Sequence, residues 1–237
     1  MCRIFAVRSS EPISVRPAFD RLRKLAGEHK DGWGIATFRE TERTHDRCVD
    51  SAEHCLRFDK YGHELTQSMM VHIRLASVGT VHDRNNHPFS AGPWVFMHNG
   101  TLKNFEKHRA EFEAQIDPAI RAELVGETDS ERCFALFRTF LGTGDDVAGA
   151  LAKTFRTAEA ICDDASEGKR SAMNFLVSDG KRFFATRRDR TLFAAATNIT
   201  ACIASEELLP DLPWLEVPQD SMVTINERLM LSMNPIP

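Results

Sequence analysis

Long apolar runs are missing from this chain. No stretch approaches the roughly 18 residues a membrane span needs, and Ile4-Phe5-Ala6-Val7 is too short for the core of a signal peptide. No membrane association is expected, and Cys2, which no such core precedes, is not a lipoprotein cysteine. A dominant charge is missing too: thirty basic and thirty-four acidic residues leave −4. With arginines scattered along the chain, nucleic acid is not expected as a partner. Cysteine pairs are absent as well. Cys2, Cys48, Cys55, Cys133, Cys162 and Cys202 contain no C-x-x-C, and 237 residues with 42% apolar content can hold a core without cross-links. Reduced thiols and a cytoplasmic location are expected. The stretch from His45 through Cys48 to His54-Cys55 lacks the two tight ligand pairs of a structural zinc site, so no metal is expected there. No linker, repeat or low-complexity segment divides the chain, which predicts one domain over residues 1–237. No histidine follows His108, so polar site chemistry is expected in the first half and a mainly architectural role for the second.

What is present reads as strands, then helices, then strands. A buried strand is expected at 3–7 and an amphipathic helix at 17–27, with Pro17 near its start and Gly27 at its end. Gly32-Trp33-Gly34 leads into a strand at 35–38, and 40–66 is polar and poorly patterned. Strands follow at 69–76 and 93–98, then helical patterns across 103–164. From 172 onward come strands around Phe175-Leu176-Val177, Phe183-Phe184-Ala185, Ala201-Cys202-Ile203-Ala204 and Met222-Val223-Thr224-Ile225, with an Asp179-Gly180 turn. Pro210, Pro213 and Pro218 predict a loop over the core. Such an order predicts a layered α+β domain with antiparallel sheets.

Cys2 is the first residue of chemical interest. Removal of Met1 would put a thiol and a free α-amine on one residue, and an amine titrating near about 7.7 to 8.0 can take the thiol proton directly or through a water. A strand starting at residue 3 would pin that terminus in place.

Three later segments supply companions. In His72-Ile73-Arg74, at a strand end, Arg74 is costly to bury unless an anion meets it. A structural ion pair would serve, and so would a substrate carboxylate. His72 shares its face and is expected to brace the site from behind. In His98-Asn99-Gly100 the Asn-Gly pair is also a hairpin signal, but the helical pattern after it argues otherwise. An asparagine amide and a glycine N–H can together donate to an oxyanion. Thr128-Asp129-Ser130-Glu131 has capping-box spacing, which accounts for Thr128 and Glu131 and leaves Asp129 free for a substrate ammonium. Arg74 and Asp129 would then grip an α-amino acid at both ends.

On these residues, together with Asn85-Asn86-His87-Pro88-Phe89, the chain resembles the glutaminase domain of class II glutamine amidotransferases, in the N-terminal nucleophile hydrolase superfamily. His29-Lys30-Asp31-Gly32-Trp33-Gly34 and Ala204-Ser205-Glu206 narrow the resemblance to a compact, stand-alone branch. The fold this implies is a four-layer αββα sandwich. The implied roles are Cys2 as nucleophile, Asn99 and Gly100 as oxyanion hole, and Arg74 and Asp129 as clamps for the α-carboxylate and α-amine. Ser77 and His98 are placed at the substrate, and His72, His87 and Trp33 behind them. Where larger members carry Trp-Ala-Thr-His after the arginine, this chain has Leu75-Ala76-Ser77-Val78, so contacts from that loop do not carry over. The chemistry implied is attack on the γ-carbonyl of glutamine, a γ-glutamyl thioester, and release of ammonia and glutamate, with no cofactor. A separate ammonia-accepting synthetase is a possible partner. Two alternatives are a hydrolase of γ-glutamyl peptides or thiol conjugates, and a non-catalytic glutamine-sensing subunit that keeps Met1.

Overall fold

In the computed structural model, which describes residues 2–39, 42–166 and 168–237, alternation along the first strand sets the architecture. Strand β1 (Arg3–Ser14) buries Phe5 and Val7 on one face and Ile4 and Ala6 on the other. A strand apolar on both faces needs cover on both. It lies centrally in a seven-stranded antiparallel sheet ordered β11 (Leu215–Glu216), β9 (Phe193–Ala196), β10 (Thr200–Ala204), β1, β4 (Leu65–Ile73), β2 (Trp33–Arg39), β3 (Glu42–Cys48). Helices α1 (Arg16–Ala26) and α2 (Leu56–His63) cover its outer face, where Phe5, Val7, Phe19, Leu22, Trp33 and Phe58 form one core.

The second sheet has six antiparallel strands ordered β13 (Leu231–Pro235), β12 (Ser221–Ile225), β8 (Phe183–Arg187), β7 (Ala172–Ser178), β6 (Trp94–Thr101), β5 (Phe89–Ala91). Helices α3 (Phe105–Glu113), α5 (Asp129–Gly142) and α6 (Val147–Cys162) cover it, beside the short α4 (Pro118–Arg121). Phe96, Phe134, Phe137, Phe155 and Phe175 fill that interface. Between the sheets Ile4, Ala6, Met70, Val95, Met97, Leu176 and Phe183 make the third core. Three apolar interfaces between four layers give the αββα sandwich that the family resemblance implied.

Two expectations need correction. Strand β1 continues to Ser14, past the expected end at residue 7, with a register irregularity between Arg8 and Ile13. Residues 42–63, read as unpatterned, hold β3 and α2. Strand β3 is a polar sheet edge, so it needs no alternation, and α2 buries only Phe58 and Gly62. Residues 40 and 41 lie outside the described part. The proline-rich segment does run over the core, with Leu208 and Leu209 buried beneath it. Among the described residues no helix is long and apolar enough to cross a membrane.

Candidate active site

Antiparallel register brings the singled-out residues to one end of the sandwich. Arg3 pairs with Ile73 and Ile4 with His72, so Cys2 and Arg74 each lie one residue past the last rung. Ser205 braces the start of β1: its hydroxyl accepts from the Ile4 amide at 3.2 Å, and Glu206 pairs with Arg3 at 2.7 Å. The Cys2 thiol donates to the Leu75 carbonyl at 3.5 Å, and its sulfur accepts from the Leu75 amide at 3.4 Å. Burial pushes this thiol above its ordinary value, while the Leu75 contact and the Arg74 cation act the other way. At neutral pH it is a protonated thiol that needs a base.

Arg74 is buried without a carboxylate partner among the described residues. Its Nη1 donates to Thr80 O at 3.1 Å and Asn86 Oδ1 at 3.5 Å, and its Nη2 to Val78 O at 3.1 Å and Gly79 O at 3.4 Å. The guanidinium thus gathers its own following loop. Asp31 anchors that loop's start by accepting from the Ala76 amide at 2.7 Å. Ser77 donates to Thr101 Oγ1 at 2.7 Å, and Thr101 donates in turn to Gly100 O at 2.8 Å.

At Gly100 a side chain has no room. A Cβ there would lie 1.9 Å from Ala172 O and 2.4 Å from His98 Nε2. Asn99 and Gly100 lie within β6, opposite Asn174 and Met173, so this Asn-Gly is no hairpin turn. Asn99 has the parity of Val95 and Met97 and faces the space between the sheets, where its amide makes no hydrogen bond among the described residues. Cys2, Arg74, Ser77, His87, His98, Gly100, Asp129 and Ser130 line one small cavity. Asn99 is not among the residues that line it. The free space is about 20 Å³, room for about one water.

His98 is fixed at both nitrogens. Its Nε2 donates to Ala172 O at 2.9 Å, which leaves Nδ1 to accept from Ser130 Oγ at 3.0 Å. The expected substrate contact is therefore unavailable through either nitrogen, and His98 serves as wall. His72 directs Nε2 at the His98 carbonyl, 3.4 Å away, and stacks on His87 with ring centroids 4.2 Å apart. Burial drives His72 down to about 3 and holds His87 and His98 below the ordinary 6.5, so all three are neutral at pH 7. Both nitrogens of His87 are buried without a partner among the described residues.

Asp129 is not free as expected. Its Oδ2 accepts from the Leu102 amide and its Oδ1 from the Ser130 amide, each at 2.8 Å. These two donors aim the carboxylate into the cavity from the first turn of α5. Thr128 caps that helix, accepting from Glu131 N at 3.2 Å. The reciprocal half of a capping box is missing, because the Glu131 carboxylate accepts from the Val125 and Gly126 amides and pairs with Arg132. Trp33, expected behind the site, is also corrected. Strand parity turns its ring outward onto Phe58 and Tyr61, whereas its neighbour Gly34 abuts the His87 carbonyl, 1.9 Å from where a Cβ would sit.

Sequence reasoning missed Glu127. Its carboxylate accepts from the Thr80 amide and hydroxyl at 2.9 Å each, from Asn85 Nδ2 at 3.2 Å and from Arg84 at 2.8 Å. It sews the loop after Arg74 to the segment before α5. The only signal was its position next to Thr128.

A four-layer sandwich with a thiol at the start of its central strand has the fold of the N-terminal nucleophile amidotransferases. The description "Glutamine amidotransferases class-II" matches residues 1–226, and the chain belongs to that family. Two proteins provisionally named glutamine amidotransferases are similar to it. One, from Saccharomyces cerevisiae, is 26% identical, covering 100% of this chain and 84% of that protein. The other, from Haemophilus influenzae, is 27% identical over 76% of this chain, a match that spans only 61% of its own length. Among solved structures, a glutamine aminotransferase class-II domain protein from Silicibacter pomeroyi superposes with a TM-score of 0.73, covering all of both chains at 23% identity. At that identity it shows the fold.

Proposed function

We propose that the protein hydrolyses the side-chain amide of glutamine through Cys2 once Met1 is removed. One observation carries this reading: the Cys2 thiol, the unpaired Arg74 cation and the oriented Asp129 carboxylate line the same cavity. Arg74 takes the substrate α-carboxylate and Asp129 its α-ammonium, which sets the γ-carbonyl against the sulfur. The freed α-amine of Cys2 accepts the thiol proton, and the thiolate forms the C–S bond. The Gly100 backbone and the Asn99 amide stabilise the oxyanion. Collapse expels ammonia, protonated by the same amine, and water deprotonated by that amine then cleaves the γ-glutamyl thioester to release glutamate. These steps call for no metal or organic cofactor.

A space of about 20 Å³ cannot hold glutamine, so binding requires the loop after Arg74 to move. The substrate carboxylate replaces the Val78, Gly79 and Thr80 carbonyls on the guanidinium. We place this single amidotransferase unit in the cytoplasm, where its six free thiols stay reduced, with a separate synthetase as acceptor of the ammonia.

Intact mass before and after treatment with a glutamine-like thiol alkylator tests the reading. Loss of Met1 with the label on Cys2 alone is expected, and Cys2→Ala should abolish turnover while leaving circular dichroism unchanged. Retained Met1 without labelling, or normal turnover in Cys2→Ala, overturns it.

A further inference from the structure

The opposite end of the inter-sheet space holds a second cavity, of about 490 Å³, lined by Arg8, Phe38, Arg43, Ser68 and Lys181 among others. It lies about 20 Å from Cys2 along β1, and nothing in the proposed reaction uses it. Arg8 and Ser68 are register partners on β1 and β4, with the parity of Ala6 and Met70, so both point between the sheets. The Ser68 hydroxyl and the Arg8 Nε are buried with no hydrogen-bond partner among the described residues. Ser68 is only 3% exposed, so that hydroxyl is an orphan inside the wall.

Charge at the site is unbalanced in one direction. Arg8 donates Nη1 to the Ser9 carbonyl, Arg43 donates to the Gly92 carbonyl at 2.7 Å, and neither these two nor Lys181 meets a carboxylate among the described residues. Two acidic residues share the lining, Glu42 and Asp179. Asp179 is consumed by Arg182, which binds it through Nε at 2.9 Å and Nη2 at 2.7 Å, and by the Lys181 and Arg182 amides. Glu42 is exposed at the sheet edge. The volume falls within the range of small-molecule sites.

We propose that this cavity binds a small phosphate-bearing molecule, its phosphate held by the Arg8 guanidinium, Arg43 and Lys181, with the Ser68 hydroxyl turning out of the wall to join them. A guanidinium edge, a hydroxyl donor and two further cations match the several oxygens and double charge of a phosphate. The inference does not depend on glutamine hydrolysis.

Calorimetric titration of the full chain with pyrophosphate, at fixed ionic strength, tests it. One saturable site is expected. Arg8→Gln and Lys181→Glu should each weaken binding about tenfold or more, while Arg121→Gln, on α4, leaves it unchanged. Lys181 is exposed, so its variant folds even if replacement of the part-buried Arg8 does not. No saturable heat, an affinity indifferent to Lys181→Glu, or equal binding of citrate overturns the assignment of a phosphate site.

Discussion

Gly100 shows how far a single residue decides the chemistry. A methyl group there would meet a carbonyl oxygen of the neighbouring strand, and β7, buried along its length, cannot retreat. Gly100→Ala must therefore shift the end of β6, moving the proposed oxyanion donors while leaving Cys2 and Arg74 in place. We expect kcat to fall by about 10²–10³, with little change in labelling of Cys2 by a small, unselective alkylator. Equal losses of both would point to collapse of the whole site. At this scale the sequence singled out Cys2, Arg74, Gly100 and Asp129, which line one cavity, because reactive or costly residue types at strand and helix ends ask for an explanation. It was misleading for Trp33 and for the freedom of Asp129. The parity of a strand starting at Trp33, and an amide donated from Leu102 twenty-seven positions away, are tertiary facts.

Glu127 is the element that makes a loop into a structure. Hydrogen bonds from Thr80, Asn85 and Arg84 hold its carboxyl down from the ordinary 4.5 to about 2. A carboxyl with a lowered folded-state pKa stabilises above its unfolded value and loses that contribution as the pH falls through the folded one. The clasp should thus be intact above pH 4.5 and released progressively as the pH drops from there toward about 2. Hydrogen exchange at the Thr80 amide, which Glu127 accepts, should accelerate across that window beyond the intrinsic pH effect. Glu127→Gln should remove the excess pH dependence. Most elements could be read from periodicity, including α1 and the hairpin at Asp179-Gly180. Strand β3 could not, since an edge strand with polar residues on both faces carries no period-two signal.

On the scale of the whole molecule, three neutral histidines are buried at one end of the sandwich. In the unfolded chain each titrates near 6.5, whereas folding lowers all three and puts His72 at about 3. The unfolded state therefore takes up protons that the native state refuses, and stability falls as the pH drops below 6.5. Urea midpoints should decline between pH 7 and pH 5, before most carboxylates titrate, and His72→Gln should flatten that decline. A midpoint constant over this range would show that the histidines are hydrated or paired in solution. The sandwich itself was foreseeable from the order of strands and helices once the family resemblance was drawn. The pairing of its strands was not, because partners such as Phe5 and Ala204 lie nearly two hundred positions apart.

That separation has a consequence for how the protein is born. Strand β1, which follows Cys2, is synthesised before both of its neighbours: β4 begins at residue 65 and β10 at residue 200. Until β10 and the residues after it have been made, β1 has an unsatisfied edge, and Ser205 and Glu206 are not there to hold its first residues. Such long-range closure is slow and leaves an adhesive strand exposed during synthesis. Cys2 is thus made before the strands that fix it, so a half-made chain has no assembled cavity around its thiol.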